Sequence, residues 1–224
     1  MAISFRDRRE AGRVLASKLS SYAGRSDVVV LGLPRGGVPV AFEVAKILKV
    51  PLDVFVVRKL GVPGHEELAM GATATGKVRV LNEDVIKRLA IPDEVIESVA
   101  TGEERELARR ERRYRENRTS VAVDGKTVVL VDDGLATGST MRAAVLALRA
   151  RNPANLVVAV PVAASEACED FKNKVDEIVC ATTPEPFHAV GQWYKEFSPT
   201  SDEEVCELLS RGAQNEGQQD LQQK

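Results

Sequence analysis

A phosphorylated sugar is held by groups that accept hydrogen bonds from its hydroxyls at one end and donate to its phosphate at the other. One segment of this chain lines up both. In Val128 to Thr140 (VVLVDDGLATGST) a short apolar run ends in Asp132 and Asp133, and small hydroxylated residues follow at once. At the carboxyl end of a parallel strand, paired carboxylates can accept from vicinal ribose hydroxyls. Thr137, Gly138, Ser139 and Thr140 then open a helix whose first backbone N–H groups, with no bulky side chain before them, make a phosphate cradle. The plain structural alternative has the acids end a strand while Ser139 or Thr140 caps a helix. It leaves two adjacent carboxylates repelling each other at the edge of a core, and helix capping has no use for both. A ligand or cation that compensates them is the simpler account.

The same residues carry a family resemblance: VVLVDDGLATGST closely resembles the phosphoribosyl-diphosphate (PRPP) motif of type I phosphoribosyltransferases. The resemblance implies that Asp132 and Asp133 hold the ribose hydroxyls, and that Ala136, Thr137, Gly138, Ser139 and Thr140 hold the 5′-phosphate. Alanine at 136 is similar to the adenine-type version of the motif, where enzymes for 6-oxopurines carry an aspartate. Two further segments fit. Arg35, Gly36 and Gly37 (in LPRGGVP) resemble the diphosphate loop of the family, and glycines there allow backbone amides to meet the leaving group closely. Taken alone, this is equally a Gly-Gly turn with a surface arginine; its place after the first strand favours diphosphate contact. Arg58 to Thr75 (RKLGVPGHEELAMGATAT) looks like the mobile catalytic loop of the family, which would exclude water while Lys59 or Arg58 neutralises the departing diphosphate. His65, Glu66 and Glu67 are candidates for proton transfer, Glu67 foremost, although a solvated loop is the plainer reading of each.

Residues 184–200 gather four aromatic rings and His188. The resemblance implies a C-terminal hood there, in which Trp193 or Phe187 stacks on the acceptor. Packing of those rings against the sheet is an equal alternative, and His188 reads as structural. As a whole the chain is similar to a branch of the family known from sequence rather than from a named salvage reaction. It implies PRPP and a small nitrogen acceptor as partners, with Mg²⁺ bound through the diphosphate and no metal ligand of the protein's own. The rival reading is a non-catalytic PRPP- or nucleotide-sensing regulator that touches RNA. A metal-dependent hydrolase is weaker, since no histidine or further aspartate accompanies the acid pair at usable spacing.

These residues need a scaffold, and the apolar pattern supplies one. An opening amphipathic helix ending near Gly24 precedes strand Val28 to Leu33, helix 38–48 and strand 52–60, a βαβ unit. After the glycine-rich loop come strand 77–81 and a helix over 82–89 capped by Asn82. Beyond 127 the alternation is strand 127–132, helix 139–150, strand 155–161, helix 164–172 and strand 175–180. Such alternation implies an α/β fold, a central parallel sheet with helices on both faces, here the type I phosphoribosyltransferase fold. Residues 91–119 read as a helical insertion in which residues 103–118 hold seven arginines and five glutamates. Pairs such as Glu106 with Arg110 and Glu111 with Arg115 suit a solvated, salt-bridged helix or a dimer contact.

The domain is expected over 1–211, with 212–224 a loose polar tail. Lys and Arg total 31 against 33 acids, a net charge of −2, which gives no global field for nucleic acid or an anionic membrane. No apolar stretch is long enough for a bilayer and the start lacks a signal-peptide core, so a cytoplasmic protein is expected, with Cys168, Cys180 and Cys206 as reduced core thiols. A homodimer is expected by analogy of fold.

Overall fold

The computed structural model describes residues 4–115 and 118–222, apart from the side chains of Glu67 and of residues 215–222. Five short apolar runs form the centre: β1 (Val28–Gly32), β2 (Leu52–Val54), β6 (Thr127–Val131), β7 (Asn155–Val162) and β8 (Glu177–Thr182). They make one sheet in the order β2-β1-β6-β7-β8, parallel throughout. Because successive side chains point to opposite faces, each strand feeds two cores. Val28, Val30, Val129, Val131, Val157 and Ala159 pack on one side with helices α1 (Arg8–Lys18), α2 (Gly37–Leu48) and α7 (Asp202–Gln222). Val29, Leu31, Val128, Leu130, Leu156 and Val158 pack on the other with α5 (Ser139–Arg149) and α6 (Ser165–Phe171). Helices on both faces are as expected.

The stretch 52–60 is not one strand. It breaks after β2, and β3 (Val57–Val62) leaves the parallel sheet to pair antiparallel with β4 (His65–Ala74), which pairs in turn with β5 (Val78–Leu81). The segment Arg58 to Thr75, expected as a loop, therefore lies in a hairpin whose register shifts on either side of Gly61. Helices α3 (Glu83–Leu89), capped by the Asn82 side chain on the Val85 N–H, and α4 (Asp93–Arg115) cover this side sheet. Leu60, Val62, Met70, Val85, Ile96 and Ala100 form its small core. The outgoing and returning chain meet at β2. Val56 and Thr75 exchange hydrogen bonds of 2.9 Å (Thr75 N–H to Val56 C=O) and 3.0 Å (Val56 N–H to Thr75 Oγ1), while Arg115 donates to Asp53 Oδ2 at 2.7 Å and to the Val54 carbonyl at 2.8 Å.

The α4 insertion is half buried rather than a free solvated rod, since Leu107 and Tyr114 join the main core. Its Glu106–Arg110 pair forms at 2.7 Å, but Arg115 turns away from Glu111 to the buried Asp53. Glu116 and Asn117 lie outside the described residues. Two further expectations are corrected. The backbone from 212 onward is not a loose tail but continues α7 as far as Gln222. Cys168 on α6 and Cys180 on β8 are not reduced thiols but are joined as a disulfide, whereas Cys206 is a free thiol that donates to the Arg113 carbonyl at 3.2 Å. No helix among the described residues is long and apolar enough to cross a membrane.

Candidate active site

In-register pairing brings the chemistry to one edge of the sheet. Gly32 of β1 sits opposite Val131 of β6, so the loops that follow these two strands emerge side by side. Asp132 and Asp133 continue β6, and the Asp133 N–H donates to Asp132 Oδ1 at 2.9 Å. The loop beyond is pinned at its middle, where the Leu135 N–H donates to the Val162 carbonyl and the Leu135 carbonyl accepts from Ala164, each at 2.9 Å. Gly138 then adopts a left-handed conformation (φ 71°) as the N-cap of α5, against the Phe171 ring, where a side chain would be both strained and crowded. Residues 134–141, with Asp132 and Val190, line a cavity of about 170 Å³ at this helix N-terminus. The expected cradle residues Ala136, Thr137, Gly138, Ser139 and Thr140 are thus together, with both acids adjoining.

Gly36 and Gly37 lie directly on the acid pair. A Cβ at Gly36 would come 2.1 Å from Asp133 Oδ2, and one at Gly37 would come 2.8 Å from Asp132 Cα. Only glycine permits that approach, and it places the turn after β1 against the carboxylates. A cis peptide bond joins Pro34 to Arg35 in this turn. The Arg35 side chain is half exposed and leans on Asp202 at the start of α7, 3.8 Å away.

Burial shapes the acids. Removal from water, followed by the charge of Asp133, pushes the Asp132 carboxyl well above the usual carboxylate range. Burial likewise raises Asp133, opposed by the Arg8 guanidinium. Arg8, from the first turn of α1, donates through Nε to Asp133 Oδ2 at 2.8 Å and through Nη1 to the Ser198 carbonyl at 2.8 Å. Sequence reading missed Arg8, for it lies 125 residues from its partner and in no motif. It also missed Tyr194, whose hydroxyl donates to the Asp133 carbonyl at 2.5 Å.

Lys59 reaches across from β3, its Nζ 3.2 Å from Ser139 Oγ in the cradle, whereas Arg58 points the other way and pairs with Glu103 of α4. Alternation along a strand separates the two neighbours. His65 and Glu66 are exposed at the hairpin tip. Hydrogen bonds from its own N–H and that of Gly64 hold the Glu66 carboxyl below its ordinary range, which suits a carboxylate more than a proton donor. The Glu67 side chain lies outside the described residues. Phe187 and Trp193, expected to stack on the acceptor, are half-buried beside Phe5, Ala11, Val162 and Tyr194, with the Trp193 Nε1 buried and without a hydrogen-bond partner. His188 is exposed.

A parallel sheet with an acid pair and a helix N-terminus at its carboxyl edge defines a class, and comparison agrees: residues 7–192 match the model of the phosphoribosyl transferase domain, and the chain belongs to that family. Among its relatives are two Mycobacterium tuberculosis proteins, “Putative phosphoribosyl transferase MT0597” (strain CDC 1551 / Oshkosh) and “Putative phosphoribosyl transferase Rv0571c” (strain ATCC 25618 / H37Rv). Each is 49% identical over 207 residues, which is 92% of this chain and 46% of the relative. The chain spans about half the length of these curated relatives. The crystal structure of TT1426 from Thermus thermophilus is similar to this fold with a TM-score of 0.85 at 44% identity, over 93% of this chain and 99% of that one.

Proposed function

We propose that the chain transfers the 5-phosphoribosyl group of PRPP to a nitrogen acceptor, with nucleobases the first class to test, and releases diphosphate. The observation that carries this reading is the seating of Gly36 and Gly37 on Asp133 and Asp132, which gathers an anion-binding turn, two ribose acids and a phosphate cradle around one crevice. The acceptor lone pair forms a bond to C1 of the ribose as the bond from C1 to the diphosphate oxygen breaks, and the nitrogen then loses its proton. Asp132 and Asp133 hold the ribose hydroxyls and face the positive charge growing on the ring. The backbone N–H groups at 138–140 hold the 5′-phosphate. Arg35 and Lys59 are the cations for the leaving group. Mg²⁺ bound through the diphosphate would disperse the charge of the leaving group.

The test is incubation with PRPP, Mg²⁺ and a panel of purines, pyrimidines and other amines, following diphosphate release. Release that depends on one acceptor class supports the transferase and names its substrate. Tight PRPP binding without turnover for any acceptor would replace it with a sensing role. In the double variant Asp132→Asn with Asp133→Asn, losing two charge-assisted hydrogen bonds should weaken PRPP roughly 10²- to 10⁴-fold with the fold retained. Unchanged PRPP affinity in that variant would remove the ribose assignment.

A further inference from the structure

The Arg8 guanidinium is held by three contacts. Asp7 caps α1 through the Glu10 N–H at 2.8 Å, which sets the backbone of the next residue. Two of its N–H groups donate to Asp133 Oδ2 and the Ser198 carbonyl, and Cζ stands 4.0 Å above the Phe197 ring. With side-chain exposures of 12% and 16%, the Arg8–Asp133 pair is screened far less than a surface pair. The arm that carries it is itself sewn to the hood: Phe5 N–H to Trp193 C=O at 2.8 Å, Lys195 N–H to Phe5 C=O at 2.9 Å, and Glu196 N–H to Arg6 C=O at 2.8 Å. Tyr194 packs between Phe5 and Phe197 and bonds the Asp133 carbonyl. The charged and titratable groups facing Asp133 are therefore Arg8 from α1, Asp132 from its own strand and Tyr194 from the hood.

We propose that Arg8 is a positioning residue for the ribose end of the substrate, holding the Asp133 carboxylate in the orientation that a sugar hydroxyl meets. This rests on the reading of the acid pair as the ribose site. A carboxylate has about four lone-pair positions, so one guanidinium N–H on Oδ2 leaves room for a hydroxyl. Without Arg8, two adjacent carboxylates would face each other with no counter-charge and the Asp133 side chain would turn from its neighbour. The role belongs to the sugar half of the ligand, because the phosphate cradle at 137–140 is pinned to β7 through Leu135 and not to Arg8.

Calorimetric titration of the whole chain with ribose 5-phosphate and, separately, with inorganic phosphate tests this. Arg8→Gln should weaken ribose 5-phosphate about 10-fold or more, the loss of one charge-assisted contact, and leave phosphate binding within about twofold. Arg8→Lys, which restores a cation without the fork to Ser198, should recover part of the affinity. Unchanged ribose 5-phosphate affinity in Arg8→Gln overturns the proposal, as does an equal loss for both ligands, which would mark a general loosening of the fold. Should Arg8→Gln fail to fold, Arg8→Lys decides by the same two ligands: a selective ribose 5-phosphate deficit supports the role, and its absence overturns it. If the unaltered protein binds phosphate but not ribose 5-phosphate, the ribose site itself falls, and Arg8 with it.

Discussion

Every residue of β1 and β6 is buried, whereas in β3 only Leu60 and Val62 are. The two sheets contribute different parts of the site accordingly. The parallel sheet sets Asp132 and Asp133 at the end of β6, a strand covered from both faces, and residues 136–140 in the loop and helix start that follow it. The side sheet brings in Lys59 from a unit with a six-residue core, tied down by partly exposed pairs such as Arg58–Glu103 and Arg79–Glu104. Under the proposed function, the groups assigned to the sugar stand on the more deeply buried element, and the group assigned to the leaving diphosphate stands on the unit with the smaller core, where local opening is cheapest.

The largest effect that sharpens this contrast is expected at Lys59. Lys59→Ala should lower kcat for diphosphate release by about 10²- to 10³-fold and change PRPP affinity only a few-fold. An equal fall in affinity would mean that the side sheet also holds the ground state, and the division of labour would fail. Next come the cores. Leu130→Ala and Leu60→Ala each remove a buried side chain at a cost of roughly 2–5 kcal/mol. The first should lower the melting temperature of the whole chain by about 2–4 °C per kcal/mol. The second should speed amide exchange in β3, β4 and β5 while β1 and β6 stay protected.

A smaller effect is expected at Asp132. Burial and the neighbouring Asp133 raise its carboxyl above 3.8, so the folded state binds that proton more tightly than the unfolded chain. The sign follows: stability from this group is fullest below the unfolded value and is lost as pH rises through the folded one. Asp132→Asn keeps the Oδ1 acceptor for the Asp133 N–H and should raise the neutral-pH melting temperature by a few degrees, with the gain vanishing near pH ~4. Melting curves at both pH values check it. Smallest of all, Glu106→Gln removes exposed pairs with Arg109 and Arg110 and should leave the melting temperature unchanged within error.

The parallel strands were legible because burial on both faces demands unbroken runs such as VVVLG and TVVLV. The hairpin was not, because β4 from Met70 to Ala74 is buried on both faces through small residues, Gly71, Ala72, Thr73 and Ala74. Such residues give neither a period of two nor the large apolar run that marks a buried strand. The acid pair and the loop at 136–140 were legible as a unit because they are neighbours in the sequence, between a strand and a helix that the apolar pattern marks. Arg8 and Tyr194 act from the two ends of the chain, and no local pattern marks a partner 125 or 61 residues away. The disulfide is hidden for a related reason: Cys168 and Cys180 are 12 residues apart, joined only after α6 folds back to β8. Phe187 and Trp193 carry no signal that tells a stacking platform from a core contact.

The clasp at β2 has an architectural consequence. Chain departing at Val56 and chain arriving at Arg115 are fastened to the same few residues, 53 to 56, so both ends of the intervening unit are anchored at the edge strand. Closing it at one place keeps the entropic cost of its length small, since that cost grows only as a logarithm. Between the two anchors Leu107 and Tyr114 pack into the main core and Lys59 bonds Ser139, so a helical turn added to α4 would have to be absorbed by the parallel sheet as well.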